Sequence, residues 1–273
     1  MQAQLAVSAD GDTWFLLNAS PDLRQQIENT PVLHPKISPR HSPIAGVVLP
    51  CGDLDQVMGL LLLREWQPLR IHATAAVRRM VCEDNSMFGM LARVADQTRW
   101  VDIVPGESFA LLTPAGAESG LRCHPLPLPS HYPAYVPKPK LESLLAEESR
   151  LGIVVESASG KKIAFLPGVA ELTEPQMEQL TDVDVLLFDG TFWDNDELMR
   201  IQPGTRTARE MGHIPVSGRD GSLARLAGLQ GPRKIYIHIN NTNPMLDESG
   251  PEYAAVRAAG WEIAEDGWDL ELG

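Results

Sequence analysis

Four apolar runs in the second half of the chain constrain the fold more than any other feature. LGIVVE (151–156), KIAFLPG (162–168), VDVLLFDGT (183–191) and KIYIHINN (234–241) each have the length and residue types of a strand, and the last three run into a polar or Gly-containing end. Helical stretches at about 173–180 and 222–228 separate them. The alternation of strand, loop, helix and strand predicts an α/β fold, in which ligands bind beyond the carboxyl ends of the strands. Residues with chemical potential should therefore gather on strand-end loops, and Asp53, Asp55, Asp189, His213 and His238 all sit at such places.

The first half is less regular. Residues 2–8 and 14–18 read as two short strands joined at Asp10-Gly11, a hairpin signal. Ser20 is positioned to cap a following helix, with Pro21 and Asp22 in its first turn. A Pro- and His-rich loop (31–43) leads to a buried strand, IAGVVLP (44–50), and then to the helix-like VMGLLLLREW (57–66). A second unit begins with the strand RIHA (70–73) and continues through a helical stretch near 74–94. WVDIV and SFALLT, separated by Pro-Gly, read as an antiparallel part. The segment PLPLPSHYPAYVPKPK (125–140) has too many prolines for a helix or central strand and is expected to be an extended loop. It serves as a connector or, through Tyr132 and Tyr135, as a lid or recognition loop. No linker divides the 273 residues, which predicts one domain, and the abrupt entry into the first strand suggests a missing amino-terminal segment.

A formal net charge of −13 makes nucleic acid or an anionic membrane a poor general partner. Cys51, Cys82 and Cys123 form no close CxxC pair and fit a reducing compartment, and GLLLL at 59–63 is far too short to span a bilayer. With no signal-peptide pattern at the start, the expected location is the cytoplasm.

Asp53 and Asp55 share a turn with Cys51 between a strand and a helix, where they can bind a cation or substrate; alternatively Asp55 caps a helix beginning near Gln56. Asp189 follows an apolar run directly, and a carboxylate there must be paired, capping or metal-bound. The residues after it, Phe192 to Asp196, would wall a pocket. Arg206 and Arg209 in GTRTAREMGHIPVSG offer bidentate binding to a carboxylate or salt bridges to local acids. His213 follows Gly212 in a turn. If Ile235, Ile237 and Ile239 face the core, Tyr236, His238 and Asn240 face a polar side, with Asn241 just beyond. His34, His41, His72, His124 and His131 have weaker contexts. Two histidines with carboxylates form the donor set of non-haem iron, zinc or manganese sites. HExxH, GxGxxG, P-loop and GxSxG patterns are all absent.

The segments SxDGxxW (8–14), NASPDLRQQI (18–27), HSPIAGVVLPCGDLDQVMGLLLLRE (41–65), FLPGVAELTE (165–174), LLFDGTFWDNDELMR (186–200), GTRTAREMGHI (204–214) and IHINNTNPMLDE (237–248) closely resemble the pyrroloquinoline quinone (PQQ) biosynthesis protein B family across essentially the whole chain. The resemblance implies a metallo-β-lactamase-like αβ/βα four-layer sandwich. It also implies a role in making PQQ from a Glu- and Tyr-containing precursor, through iron-dependent hydroxylation of the tyrosine ring or as a carrier of the cofactor. Zinc-dependent hydrolysis is the further activity that the superfamily fold permits. The superfamily's HxHxDH ligand loop reads Cys51-Gly52-Asp53-Leu54-Asp55-Gln56 here: Asp53 and Asp55 carry over, and Gln56 replaces the closing histidine. Asp189, His213 and His238 match the later ligand positions, giving Fe(II), or zinc, held by these residues with Asp53 and Asp55. Asp55, Asp189, His213 and His238 would be catalytic, and Arg206, Arg209 and Asn241 would contact an amino-acid-derived or quinone ligand. Other cofactor-biosynthesis proteins and a second copy of the chain are the expected macromolecular partners. Family members usually carry an amino-terminal Cys-containing segment associated with a structural zinc, which this sequence lacks.

Overall fold

A computed structural model describes residues 1–63, 68–128 and 130–272. The end of the expected VMGLLLLREW helix, residues 64–66, lies outside them. The chain forms two compact units, residues 1–127 with 132–160, and residues 161–273 with 128–131.

In the first unit, strands β1 (Leu5–Val7), β2 (Trp14–Leu17), β3 (Ile44–Val48), β4 (Leu69–Ala73) and β5 (Thr98–Asp102) make one sheet in that order. The β1–β2 pair is antiparallel, as the Asp10-Gly11 turn predicts, and the remaining pairs are parallel. Parallel pairing explains why β3 is apolar at every position: its residues are buried on both faces. Strands β6 (Phe109–Leu112), β7 (Glu118–Pro127) and β8 (Leu151–Ser157) form an antiparallel ladder. The expectation that WVDIV joins this antiparallel part is corrected, because β5 pairs in parallel with β4.

Helix α1 (Leu23–Glu28) has Asp22 at its N-cap position, and no side chain caps it. Ser20 is fully buried and donates instead to Gln26 Oε1 at 2.6 Å, which corrects the capping expectation. Helix α2 (Leu54–Val57) continues as a 3-10 turn through Leu63. The chain then broken into short helical pieces runs through α3 (Ala75–Arg78) to Ala92. Val57, Leu60, Val77 and Met80 pack with Leu16, Val47 and Ile71 of the sheet; burying each such side chain contributes about 1.5–3 kcal/mol.

The Pro-rich segment is not wholly a loop. β7 runs through Pro125 and Pro127, which β8 pairs with, while the β6 register ends at Cys123, so the prolines lie where one side of the strand has no partner from β6. Helix α4 (Lys138–Leu141) has Pro137 at its N-cap position and Pro139 in its first turn, where the missing N–H breaks no helical bond. Tyr132 donates to the carbonyl of Leu145 at 2.5 Å and Tyr135 to that of Gly52, so both hydroxyls are used within this unit.

The second unit is built on parallel strands in the order β12 (Trp261–Ile263), β11 (Arg233–Ile237), β10 (Val185–Asp189), β9 (Lys162–Leu166). Helices α5 (Glu174–Gln179), α6 (Glu197–Ile201), α7 (Ser222–Arg225) and α8 (Pro251–Ala258) lie between and beside them in sequence. The expected polar face of β11 is corrected: Tyr236 is fully buried, stacked on Trp261 with centroids 4.1 Å apart, and its hydroxyl meets that of Ser222 at 2.8 Å. A parallel strand with neighbours on both sides buries both faces, so alternation cannot be read from it. Among the described residues, no helix is long and apolar enough to cross a membrane.

Gly59 locks the first unit's helical layer against the β2–α1 turn. Its N–H donates to the carbonyl of Ala19, and a Cβ there would lie 2.2 Å from the carbonyl oxygen of Ser20. Because the obstacle is backbone, Gly59→Ala is expected to destabilise the protein by about 2–4 kcal/mol, measured as a lower urea midpoint at unchanged m.

Candidate metal centre

Two strand ends and one interhelical loop of the second unit converge. Asp189 closes β10 and is fully buried; His238 follows the last residue of β11; His213 sits on the loop between α6 and α7. One ligand atom from each lies within 4.8 Å of the others. His213 is placed by its backbone, since its N–H bonds to the Ala208 carbonyl, left-handed Gly212 (φ 88°) precedes it, and the next N–H, of Ile214, bonds to the Val169 carbonyl. A Cβ on Gly212 would also approach Ser130 Oγ at 2.5 Å. His238 itself has φ 55°, a left-handed conformation that costs any residue with a Cβ some energy and is held here by the surrounding contacts.

The hydrogen bonds assign a role to each group. Asp189 Oδ2 accepts from His213 Nδ1 at 2.7 Å and from the Val169 N–H at 3.0 Å. Its Oδ1 accepts from the Thr191 N–H at 3.1 Å and the Thr191 hydroxyl at 2.5 Å. With its proton on Asp189, the Thr191 hydroxyl accepts from His238 Nδ1 at 2.7 Å. Both imidazoles are thereby set with Nδ1 protonated, leaving each Nε2 as the lone-pair nitrogen. The rings stack 5.5 Å apart at 20°, and Phe192 meets the edge of His213 at 5.9 Å. Burial alone would push the Asp189 carboxyl up, but the two histidines outweigh it and hold it well below the usual carboxylate range.

This donor set fits a divalent transition metal: two oriented imidazole nitrogens with a buried carboxylate behind them form a familiar ligand–orienter pairing. In this arrangement Asp189 has four donors around its two oxygens, so it acts on an ion chiefly by fixing the imidazoles. Direct coordination by it would require one of those bonds to be exchanged.

The supporting loops are tied by a residue that the sequence did not single out. Glu197, 3 % exposed, accepts from the Trp193 N–H at 2.5 Å and from the Thr242 hydroxyl, which in turn accepts from Asn240. It joins the loop after β10 to the loop after β11. Burial raises its carboxyl above the ordinary value. The walling segment also braces His213's loop, through Asn195, whose carbonyl accepts from Ala208, and through Phe192 and Trp193, whose carbonyls accept from Val216 and Ser217.

Arg206, Arg209 and Asn241 are exposed. Arg206 reaches the Glu210 carbonyl at 3.4 Å and Arg209 the Asp220 carbonyl at 2.9 Å, and Arg206 also acts by its charge on the Glu210 carboxylate. Asp53 and Asp55 belong to the first unit. Asp53 takes the N-cap position of α2 without capping through its side chain, and Asp55 lies inside the helix's first turn, so a cap by Asp55 is corrected. Asp53 Oδ2 instead accepts from Arg150 Nη2 at 2.6 Å and from the Cys51 thiol at 3.2 Å. Gln56 is 1 % exposed. Of the remaining histidines, His72 is buried against Phe109, and burial lowers its pKa to about 4, so it stays neutral.

Thr191, two residues beyond Asp189, is the other residue missed, and its place in FDGT at a strand end was the available signal. Thr191→Val keeps the shape but removes the hydroxyl that links Asp189 to His238. It is expected to cost about 1–3 kcal/mol, with Thr191→Ser near wild type, as read by urea denaturation.

A family model described as "Beta-lactamase superfamily domain" matches residues 13–239. The chain is 42 % identical over 271 residues to coenzyme PQQ synthesis protein B of Methylorubrum populi, covering 99 % of this chain and 87 % of that one. The protein of the same name from Ruegeria pomeroyi is 42 % identical over 272 residues, covering 99 % and 88 %. The crystal structure of Zn(2+)-bound PqqB from Methylobacterium extorquens superposes with a TM-score of 0.89 at 40 % identity, covering 100 % of this chain and 88 % of that chain. The fold is thus the metallo-β-lactamase fold, with two sheets in a mixed α/β arrangement, and the chain belongs to the coenzyme PQQ synthesis protein B family of the β-lactamase superfamily.

Proposed function

We propose that this protein acts in PQQ biosynthesis as a metal-dependent oxygenase that hydroxylates the tyrosine ring of a Glu–Tyr-derived precursor. The observation that carries this reading is the buried Asp189–His213–His238 cluster in a chain 42 % identical, over nearly its whole length, to PQQ synthesis proteins B. Two imidazoles and a carboxylate suit ferrous iron. Bound iron would supply the one-electron chemistry with dioxygen that side chains lack. Zinc is the ion named for the M. extorquens protein, and zinc here would favour a hydrolytic reaction.

His213 and His238 would hold the ion through Nε2. Asp189 and Thr191 keep both rings in one orientation and one tautomer, so that little is lost to reorganisation on binding. Phe192 gives the site an apolar wall beside His213. Exposed Arg206 and Arg209, whose forks can receive carboxylates bidentately, would orient the amino-acid ends of the substrate. Ring hydroxylation places one oxygen atom on carbon and the other in water, so it needs two electrons and two protons from an external reductant of the thiol or ascorbate class.

Anaerobically purified protein is expected to retain about one iron per chain. His238→Ala and Asp189→Ala should lose that iron while remaining folded by circular dichroism. Oxygen uptake with a reductant should then depend on a tyrosine-containing substrate. Folded protein that takes up no metal even when Fe(II) is supplied would overturn the oxygenase reading and favour a carrier that binds the anionic quinone directly. Cleavage of an ester by the zinc-loaded protein alone would favour hydrolysis.

A further inference from the structure

The loop Cys51-Gly52-Asp53-Leu54-Asp55-Gln56 places two carboxylates between a buried strand and a short helix, the kind of turn in which cations are bound. Its own structure shows a different use. Arg150 precedes β8, and its side chain is only 6 % exposed. Its Nη2 lies 2.6 Å from Asp53 Oδ2, and the same oxygen accepts the Cys51 thiol. An isolated antiparallel bridge between Cys51 and Arg150 fixes the backbones that carry this pair. Tyr135 covers the loop from above by bonding to the Gly52 carbonyl, and a Cβ at Gly52 would collide with Met80 at 2.9 Å. Gln56 turns inward, with its side-chain oxygen buried and without a hydrogen-bond partner among the described residues.

A guanidinium does not deprotonate in a protein. A divalent ion on Asp53 would therefore face a fixed positive charge sharing the same carboxylate. The guanidinium is enclosed, with its side chain 6 % exposed. We propose that Arg150 is a resident cation that occupies the Asp53 carboxylate and closes this loop to metal, so that the ion held by the chain does not depend on Asp53. The inference rests on the proposed function only for the identity of the ion that remains.

The test is titration of Co(II) and Zn(II) into the full chain, followed by calorimetry and metal analysis of dialysed samples. Asp53→Asn should leave stoichiometry unchanged and affinity within threefold of wild type. Arg150→Met, folded by circular dichroism, should take up an additional equivalent, and the double variant Arg150→Met/Asp53→Asn should lose that equivalent again. Arg150→Lys, which keeps the charge, should behave as wild type; Arg150→Gln replaces Arg150→Met if the latter unfolds. A tenfold or greater loss of affinity in Asp53→Asn, or a folded Arg150→Met that gains no ion, would overturn the proposal. Wild-type protein that binds no ion would defeat the proposed function, whereas the Asp53-dependent ion of the Arg150 variant would still decide this inference.

Discussion

A carboxylate buried at the end of a parallel strand is the constraint on which the rest of this structure depends. Asp189 has no access to water, so its charge is tolerable only because four donors converge on its two oxygens. Those donors come from three separate places: the Val169 backbone, Thr191, and the imidazole of His213. Satisfying one ion therefore fixes the geometry of three loops. The same bonds decide which nitrogen of each histidine carries a proton and which presents a lone pair. The electrostatic necessity of the fold and the chemistry of the site are one arrangement.

The two Asp-bearing strand ends solve a similar problem in opposite ways. In the first unit, Asp53 is neutralised by a buried arginine of the same chain. In the second, Asp189 is held by hydrogen-bond donors instead, among them His213 Nδ1, with His238 reaching it through the Thr191 hydroxyl. An arginine ends the chain of interactions because all its nitrogens are donors. A histidine has two ring nitrogens and can pass the interaction on, which makes the second strand end the better candidate for an ion. Glu197 extends the same logic outward, tying together the loops after β10 and β11 through hydrogen bonds that leave the imidazoles undisturbed.

Membership in the PQQ synthesis protein B family and the oriented histidine pair support each other without being the same argument. The family relationship spans 99 % of the chain and concerns pathway; the local geometry concerns the chemistry that the chain can support. A fold alone does not choose a chemistry. The donor set, two imidazoles with a carboxylate behind them, is one that iron and zinc sites share.

Much of this was legible in the sequence because it follows from composition and period. Apolar runs ending in Asp, Gly or His predicted strands with functional groups beyond their ends, and β3, β9, β10 and β11 lie where those runs are, as does the antiparallel β8. Asp189 and His238 stood out because polar residues at the ends of buried strands need a reason, and His213 because it follows Gly212 in a turn. Other features were invisible to periodicity. The burial of Tyr236 came from neighbours on both sides of β11, and the parallel pairing of β5 came from a partner nearly thirty residues away in sequence. Arg150 carried no local signal at all, since its role is defined by an aspartate 97 positions earlier. Local sequence thus determined the strands and the chemical types at their ends. Only the tertiary structure decided which charges meet, because ion pairing and hydrogen bonding act over a few ångströms of space and take no account of distance along the chain.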